Sequence, residues 1–209
     1  MYMEKTPTHK NDAPAGAAEP PKPMRADAVR KMNALLQAAM DVFASSGVHA
    51  PVREIAERAG VGLGTLYRHF PQRADLIVAV LKTQIDACAD AAPAFAKAHD
   101  PVEALARWVQ RYVDFIVTKR GLAGALQSDN AAYAALPDYF YSRLRPALAS
   151  LLDAALAAGA IRPGFQPDEL LRAVATLCYG PYDEDPSFAR RMAALMVDGL
   201  RQDAAKAKE

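Results

Sequence analysis

Between residues 52 and 70 the chain reads Val-Arg-Glu-Ile-Ala-Glu-Arg-Ala-Gly-Val-Gly-Leu-Gly-Thr-Leu-Tyr-Arg-His-Phe. Thr65, Tyr67, Arg68 and His69 lie within one short stretch, and each can bind a phosphate oxygen or a base edge. Hydroxyls donate or accept, a guanidinium offers a fork of donors, and an imidazole can donate. Arg53 and Arg73 add a cation on either side. Covalent chemistry has no comparable signal. The chain has no GxSxG, no glycine-rich phosphate loop, no HExxH and no Cys–His pair in local sequence. Its four histidines, His9, His49, His69 and His99, lack metal-ligand spacing, and Tyr182-Asp183-Glu184-Asp185 reads as a solvated acidic loop. The sequence therefore predicts a binding protein with no catalytic residue, no metal and no cofactor.

Those polar side chains need a short rigid element to carry them. Pro51 suits the first turn of a helix from about Val52 to Ala59, Gly60 breaks it, and a second short helix runs from about Leu63 to Phe70. Pro71 ends that helix, and another begins near Arg73. Ala56 is small where two helices cross, while Ile55, Val61 and Leu66 are apolar where they pack. This is a helix-turn-helix, whose second helix is short enough to enter a major groove about 12 Å wide. A plain αα-hairpin has the same spacing, but it would need an apolar stripe on the outer face of Leu63–Phe70, and none is present. Upstream, Val29, Met32, Leu35, Leu36, Ala39, Met40 and Phe43 fall at helical spacing, with Asp27 placed to cap the start and Gly47 the end.

The remainder is also helical. Asp100-Pro101-Val102-Glu103 reads as a cap, a proline at the first position and a carboxylate at the third. Further helices are expected from Asp138 to Gly159, from Pro167, and from Asp185-Pro186. No strand alternation of useful length occurs, so the fold class is all-α with about nine helices. Residues 1–24, rich in proline, are expected to be a disordered tail, residues 25–75 a helix-turn-helix domain, and residues 76–209 a second helical domain. The net charge of +1 means that a basic surface for nucleic acid must be local. With two distant cysteines, Cys88 and Cys178, and no long apolar run, the expected setting is the cytoplasm, away from membranes.

The runs Ile55–Val61 and Gly64–Phe70, continued by Arg73, Asp75 and Leu76 and preceded by Phe43 before Gly47, resemble the DNA-binding domain of the tetracycline-repressor (TetR) family. The likeness covers about residues 29–82; beyond it, overall length and the closing Val197-Asp198-Gly199-Leu200-Arg201 are similar to the family. The resemblance implies phosphate contacts from Tyr67, His69 and Arg73, the last aided by a helix dipole, and a phosphate or base contact from Arg53. It places Thr65 and Arg68 at the groove, with Arg68 able to pair with a guanine edge and Leu63 to touch a thymine methyl. Gly62 and Gly64 bring backbone to the groove but no side chain to read bases. Lys10, Lys22, Arg25, Arg30 and Lys31 form either a basic arm toward DNA or a solvated tail.

The resemblance further implies a homodimer through the last two helices, a palindromic operator in double-stranded DNA, and a largely apolar small-molecule effector. Release of a repressor by that effector is the expected mode; activation, a corepressor mode and a helical protein-binding adaptor are the alternatives. The aromatic cluster Trp108, Tyr112, Phe115, Tyr133, Tyr139, Phe140 and Tyr141, with Arg143, Gln127 and Asn130 as polar partners, is the expected effector pocket. Any one of these rings could instead fill the core.

Overall fold

The computed structural model describes residues 22–119, 122, 130–179 and 186–202. Helix α1 spans Lys22–Ser46, earlier than the apolar periodicity predicts. Pro23 sits in its first turn, where a missing N–H costs nothing, and Met24, Arg25, Ala26 and Ala28 are good helix formers. Asp27 is therefore inside the helix and does not cap it; it pairs with Lys31 at 2.9 Å and Arg30 at 3.4 Å. Residues 22–24 of the expected disordered tail are thus helical, and the rest of that tail lies outside the described residues.

Helices α2 (Val52–Arg58) and α3 (Leu63–His69) form the helix-turn-helix. Gly60 sits at φ +66°, the left-handed conformation that a residue without Cβ adopts freely. The Val61 N–H returns to Ala56 O at 3.0 Å and the Gly60 N–H to Glu57 O at 3.1 Å, which satisfies the last carbonyls of α2. Helix α4 (Arg73–Ala89) starts with a reciprocal cap between Gln72 and Asp75. A short α5 (Ala91–Ala98) leads into α6 (Pro101–Lys119). There the Asp100 carboxylate accepts from the N–H groups of Val102 and Glu103 at 3.1 Å, as the sequence predicts. A 3₁₀ turn (Ala131–Tyr133) precedes α7 (Leu136–Ala157), and α8 (Pro167–Cys178) and α9 (Pro186–Leu200) follow. Helix α7 begins two residues before Asp138, with Pro137 accommodated in its first turn.

The architecture is all-α. Among the described residues the only β pairing is an isolated bridge between Ile161 and Arg201, which clips the end of α9 to the α7–α8 connection. No helix among them is long and apolar enough to cross a membrane.

Two apolar cores result. The smaller joins Phe43 of α1, Ile55 of α2 and Leu66 of α3 to Leu76, Ile77, Val80 and Leu81 of α4. The larger begins at Ile85 and Cys88 of α4 and includes Trp108, Tyr112, Leu144, Leu148, Leu171, Val174 and Val197. Helix α4 thus serves both cores, and residue 76 lies inside the smaller one. Leu122, Tyr133 and Leu136, far along the chain, also pack into the smaller core.

Candidate DNA interface and ligand cavity

Leu66 is the one side chain of α3 that is buried, at 1% exposure, and Phe70 closes its C-terminal end. Because successive residues advance 100° around a helix, a single anchor leaves most of this short helix turned outward. Leu63, Gly64, Thr65, Tyr67, Arg68 and His69 are all exposed, with Tyr67 at 51% and Leu63 at 38%. The structure therefore brings the predicted DNA-facing residues of α3 together on one free face. Arg53 projects from α2, also exposed, and donates to Glu57 Oε1 at 2.9 Å. A surface pair of this kind contributes about 0–1 kcal/mol and is easily exchanged for a phosphate.

Arg73, expected at a phosphate, uses one guanidinium nitrogen inside the protein. Its Nη1 donates to Val48 O at 2.6 Å and to Ala50 O at 2.7 Å. The half-buried guanidinium ties the α1–α2 connection to the first turn of α4. That connection contributes Val48 and Ala50 to the small core, which leaves their carbonyls at its edge in need of a donor. In this conformation Arg73 positions the helix-turn-helix from behind.

A partly open cavity of about 590 Å³ lies where the two cores meet, within the range of small-molecule sites. Of the aromatic cluster singled out in the sequence, Tyr112, Phe115, Tyr133, Phe140 and Tyr141 line it. Tyr112 stacks on Phe115 at 6.2 Å between centroids, and Phe140 lies 6.1 Å from Tyr112 and 6.2 Å from Phe115. The Tyr112 hydroxyl donates to Leu171 O at 3.2 Å, and burial pushes its pKa well above the usual tyrosine range. It remains a neutral donor.

Three expected pocket residues lie elsewhere. Trp108 is fully buried one turn before Tyr112 and stacks on it at 5.7 Å, while its Nε1 donates to Cys88 O at 2.9 Å. It fills the core between α4 and α6. Tyr139 and Arg143 are on another side of α7. The Tyr139 hydroxyl donates to Asp86 at 2.8 Å, Arg143 Nε donates to Asp86 at 2.7 Å, and Arg143 Nη2 donates to Asp90 at 2.7 Å. They clasp α7 to α4, because the carboxylates of Asp86 on α4 and of Asp90 just after it face them. Asn130 caps the 3₁₀ turn through Ala132 N, and Gln127 lies outside the described residues. Tyr182–Asp185 lie outside them as well.

Sequence reasoning missed other lining residues, among them Leu81, Ile85, Lys119, Arg172 and Tyr179. Lys119 was detectable, since it lies four residues after Phe115 and seven after Tyr112 on one stripe of α6. Its Nζ is 5.8 Å from the Phe115 and Phe140 ring centroids and 5.9 Å from that of Tyr179. Burial lowers its pKa below the usual lysine range.

Residues 35–80 match a family profile described as bacterial regulatory proteins of the tetR family, and residues 100–202 match one described as the C-terminal domain of SbtR-like transcriptional regulators. A solved TetR transcriptional regulator from Streptomyces coelicolor is 35% identical, covers 82% of this chain and 99% of its own, and superposes with a TM-score of 0.68. A TetR regulatory protein from Mycobacterium vanbaalenii is 33% identical, with 86% and 100% covered and a TM-score of 0.70. The HTH-type transcriptional activator FasR of Mycolicibacterium smegmatis is 47% identical over 53 residues, which are 25% of this chain and 24% of that protein. The chain thus spans about a quarter of the length of that curated relative, all of it a local match. Profile matches at both ends and a whole-chain likeness above 30% identity agree with the geometry of α2 and α3: the chain belongs to the TetR family of helix-turn-helix transcriptional regulators.

Proposed function

We propose that this protein represses transcription by binding a palindromic operator in double-stranded DNA as a homodimer, and that a small molecule in the cavity releases it. The carrying observation is the face of α3, held by Leu66 alone and presenting Thr65, Tyr67, Arg68 and His69 to solvent. Tyr67 and His69 meet phosphates, Thr65 and Arg68 face the groove, and Leu63 lies within reach of a thymine methyl. Arg53 exchanges Glu57 for a phosphate. With Gly62 and Gly64 bare, direct readout rests on few side chains and DNA shape contributes the rest. Two recognition helices reach successive major grooves about 34 Å apart.

Dimer formation is supported by α9. Leu195 is 64% exposed there, flanked on the same helix by partly exposed Phe188, Met192 and Met196. Sedimentation should give a dimer, and Leu195→Arg should give a monomer that has lost operator affinity.

Coupling is supported by the shared wall of the cavity. Leu81, Tyr133 and Leu136 line the cavity and also belong to the core of the DNA-binding head. Ile85, one turn after Leu81 on α4, lines it from the larger core. An effector that fits only when α4 shifts would move the head, by as much as its affinity differs between the two states. The protein acts by binding, without turnover, and works in the cytoplasm where the DNA is. Activation in the manner of the Mycolicibacterium relative's name is the second reading.

The test is selection of bound fragments from random and genomic DNA at near-physiological salt. A palindromic motif with two half-sites is expected, and a reporter driven by it should rise when the gene is deleted. A fall in the reporter would favour activation, and no enriched motif would overturn the reading of α3.

A further inference from the structure

The described lining of the cavity contains two cations, Lys119 and Arg172, and no carboxylate. Neither side chain forms a salt bridge or a side-chain hydrogen bond with another described residue, although most arginines of this chain do. The three rings around the Lys119 ammonium stand at the outer limit of a cation–π contact, about 6 Å, so they offset little of its lost hydration. Burial accordingly lowers its pKa, with no opposing acidic group among the described residues. A desolvated ammonium facing an apolar cavity is stabilised most by an anion placed beside it.

We infer that the cavity takes an amphipathic organic acid, with its apolar body against Tyr112, Phe115 and Phe140 and its anionic group ion-paired to Lys119, Arg172 serving as a second donor. The inference rests on the cavity being the effector site. It narrows a largely apolar effector to one with an acidic end. The Phe115, Phe140 and Tyr179 rings then confine the ammonium at the cavity wall, and Thr176 adds a hydroxyl among the lining groups.

Calorimetric titration of the full-length protein, without DNA, tests this with matched probes that share one apolar body. These are 6-phenylhexanoate, 6-phenylhexanol and 6-phenylhexylamine, and the corresponding decyl acid, alcohol and amine. In at least one series the acid should bind ten times or more as tightly as its alcohol, a difference of about 1.4 kcal/mol. Lys119→Met should abolish that preference by weakening the acid more than the alcohol, Lys119→Arg should retain it, and Arg172→Leu should weaken it. Lys119→Gln replaces the methionine variant if the latter fails to give a native melting transition. The proposal is overturned if no acid is preferred in either series, whether through equal binding, no binding or preference for the amine. It is equally overturned if the preference survives Lys119→Met. Because these titrations contain no DNA, they can fail while a palindromic motif is still selected, which separates failure of the ligand class from failure of the regulatory reading.

Discussion

Replacing Arg73 with alanine removes two hydrogen bonds from one guanidinium nitrogen, to Val48 O at 2.6 Å and Ala50 O at 2.7 Å. Charge-assisted bonds of this kind contribute about 1.5–3 kcal/mol each. Both leave the same nitrogen of a half-buried side chain, so together they are worth about 2–3 kcal/mol. A chain of this size loses about 2–4 °C of Tm per kcal/mol, so the variant should melt roughly 4–12 °C lower. A phosphate anchor behaves differently. Its loss would leave stability within about 0.5 kcal/mol and reduce the slope of log affinity against log salt by about 0.9 for each protomer, about 1.8 for a dimer on its operator. Thermal unfolding and operator titrations at several salt concentrations, run on the same preparations, separate the two. The expected result is a lower Tm with an unchanged salt slope, and any loss of affinity should shrink as temperature is lowered. An unchanged Tm with a shallower slope would refute the positioning role and restore the direct contact that the family resemblance implies.

Leu66→Ala should cost about 3 kcal/mol in denaturant unfolding, because it empties the one buried position of α3; near-native stability would mean that α3 is held by something else. Tyr67→Phe should weaken binding to every DNA sequence by about 0.5–1.5 kcal/mol, and an unaltered titration curve removes its phosphate contact. Arg68→Ala should relax preference at particular bases by about 1–3 kcal/mol, so a selected motif identical to the parent's refutes direct readout by Arg68. Burial pushes the Cys88 thiol up to about 12, above its ordinary 9.0. Its stabilising contribution is complete below about pH 9 and is lost as the pH rises toward 12, because the unfolded chain releases that proton first. At pH 8 the native protein should leave Cys88 unlabelled by an alkylating reagent until it is unfolded, and fast labelling in the folded state would contradict the packing around Trp108.

The helix-turn-helix was legible because its determinants are local. The Gly60 turn closes α2 through bonds from Gly60 N–H to Glu57 O and from Val61 N–H to Ala56 O, three and five residues back, and Leu66 needs only the 3.6-residue period to be recognised as the anchor. The Asp100 cap is equally local, with its donors two and three residues ahead. The early start of α1 was misread because Asp27 has the chemistry of a cap, and the helix-forming residues before it outweighed that signal.

The cavity was only half legible. Trp108, Tyr112 and Phe115 share one stripe of α6, and the stripe shows that they face inward. Whether an inward ring meets packed atoms or an open cavity depends on what the other helices bring. Cys88 O brings Trp108 a hydrogen bond, and Asp86 draws Tyr139 and Arg143 to α4. Arg73 makes the same point at the head, since its partners lie 23 and 25 residues back in the chain. By itself the sequence determined the helices, the turn and the polar face offered to DNA, all of which follow from periodicity and capping within a few residues. Only the tertiary structure decided that Arg73 faces carbonyls and Lys119 faces a cavity, because a side chain's partner is chosen by elements that meet it in space.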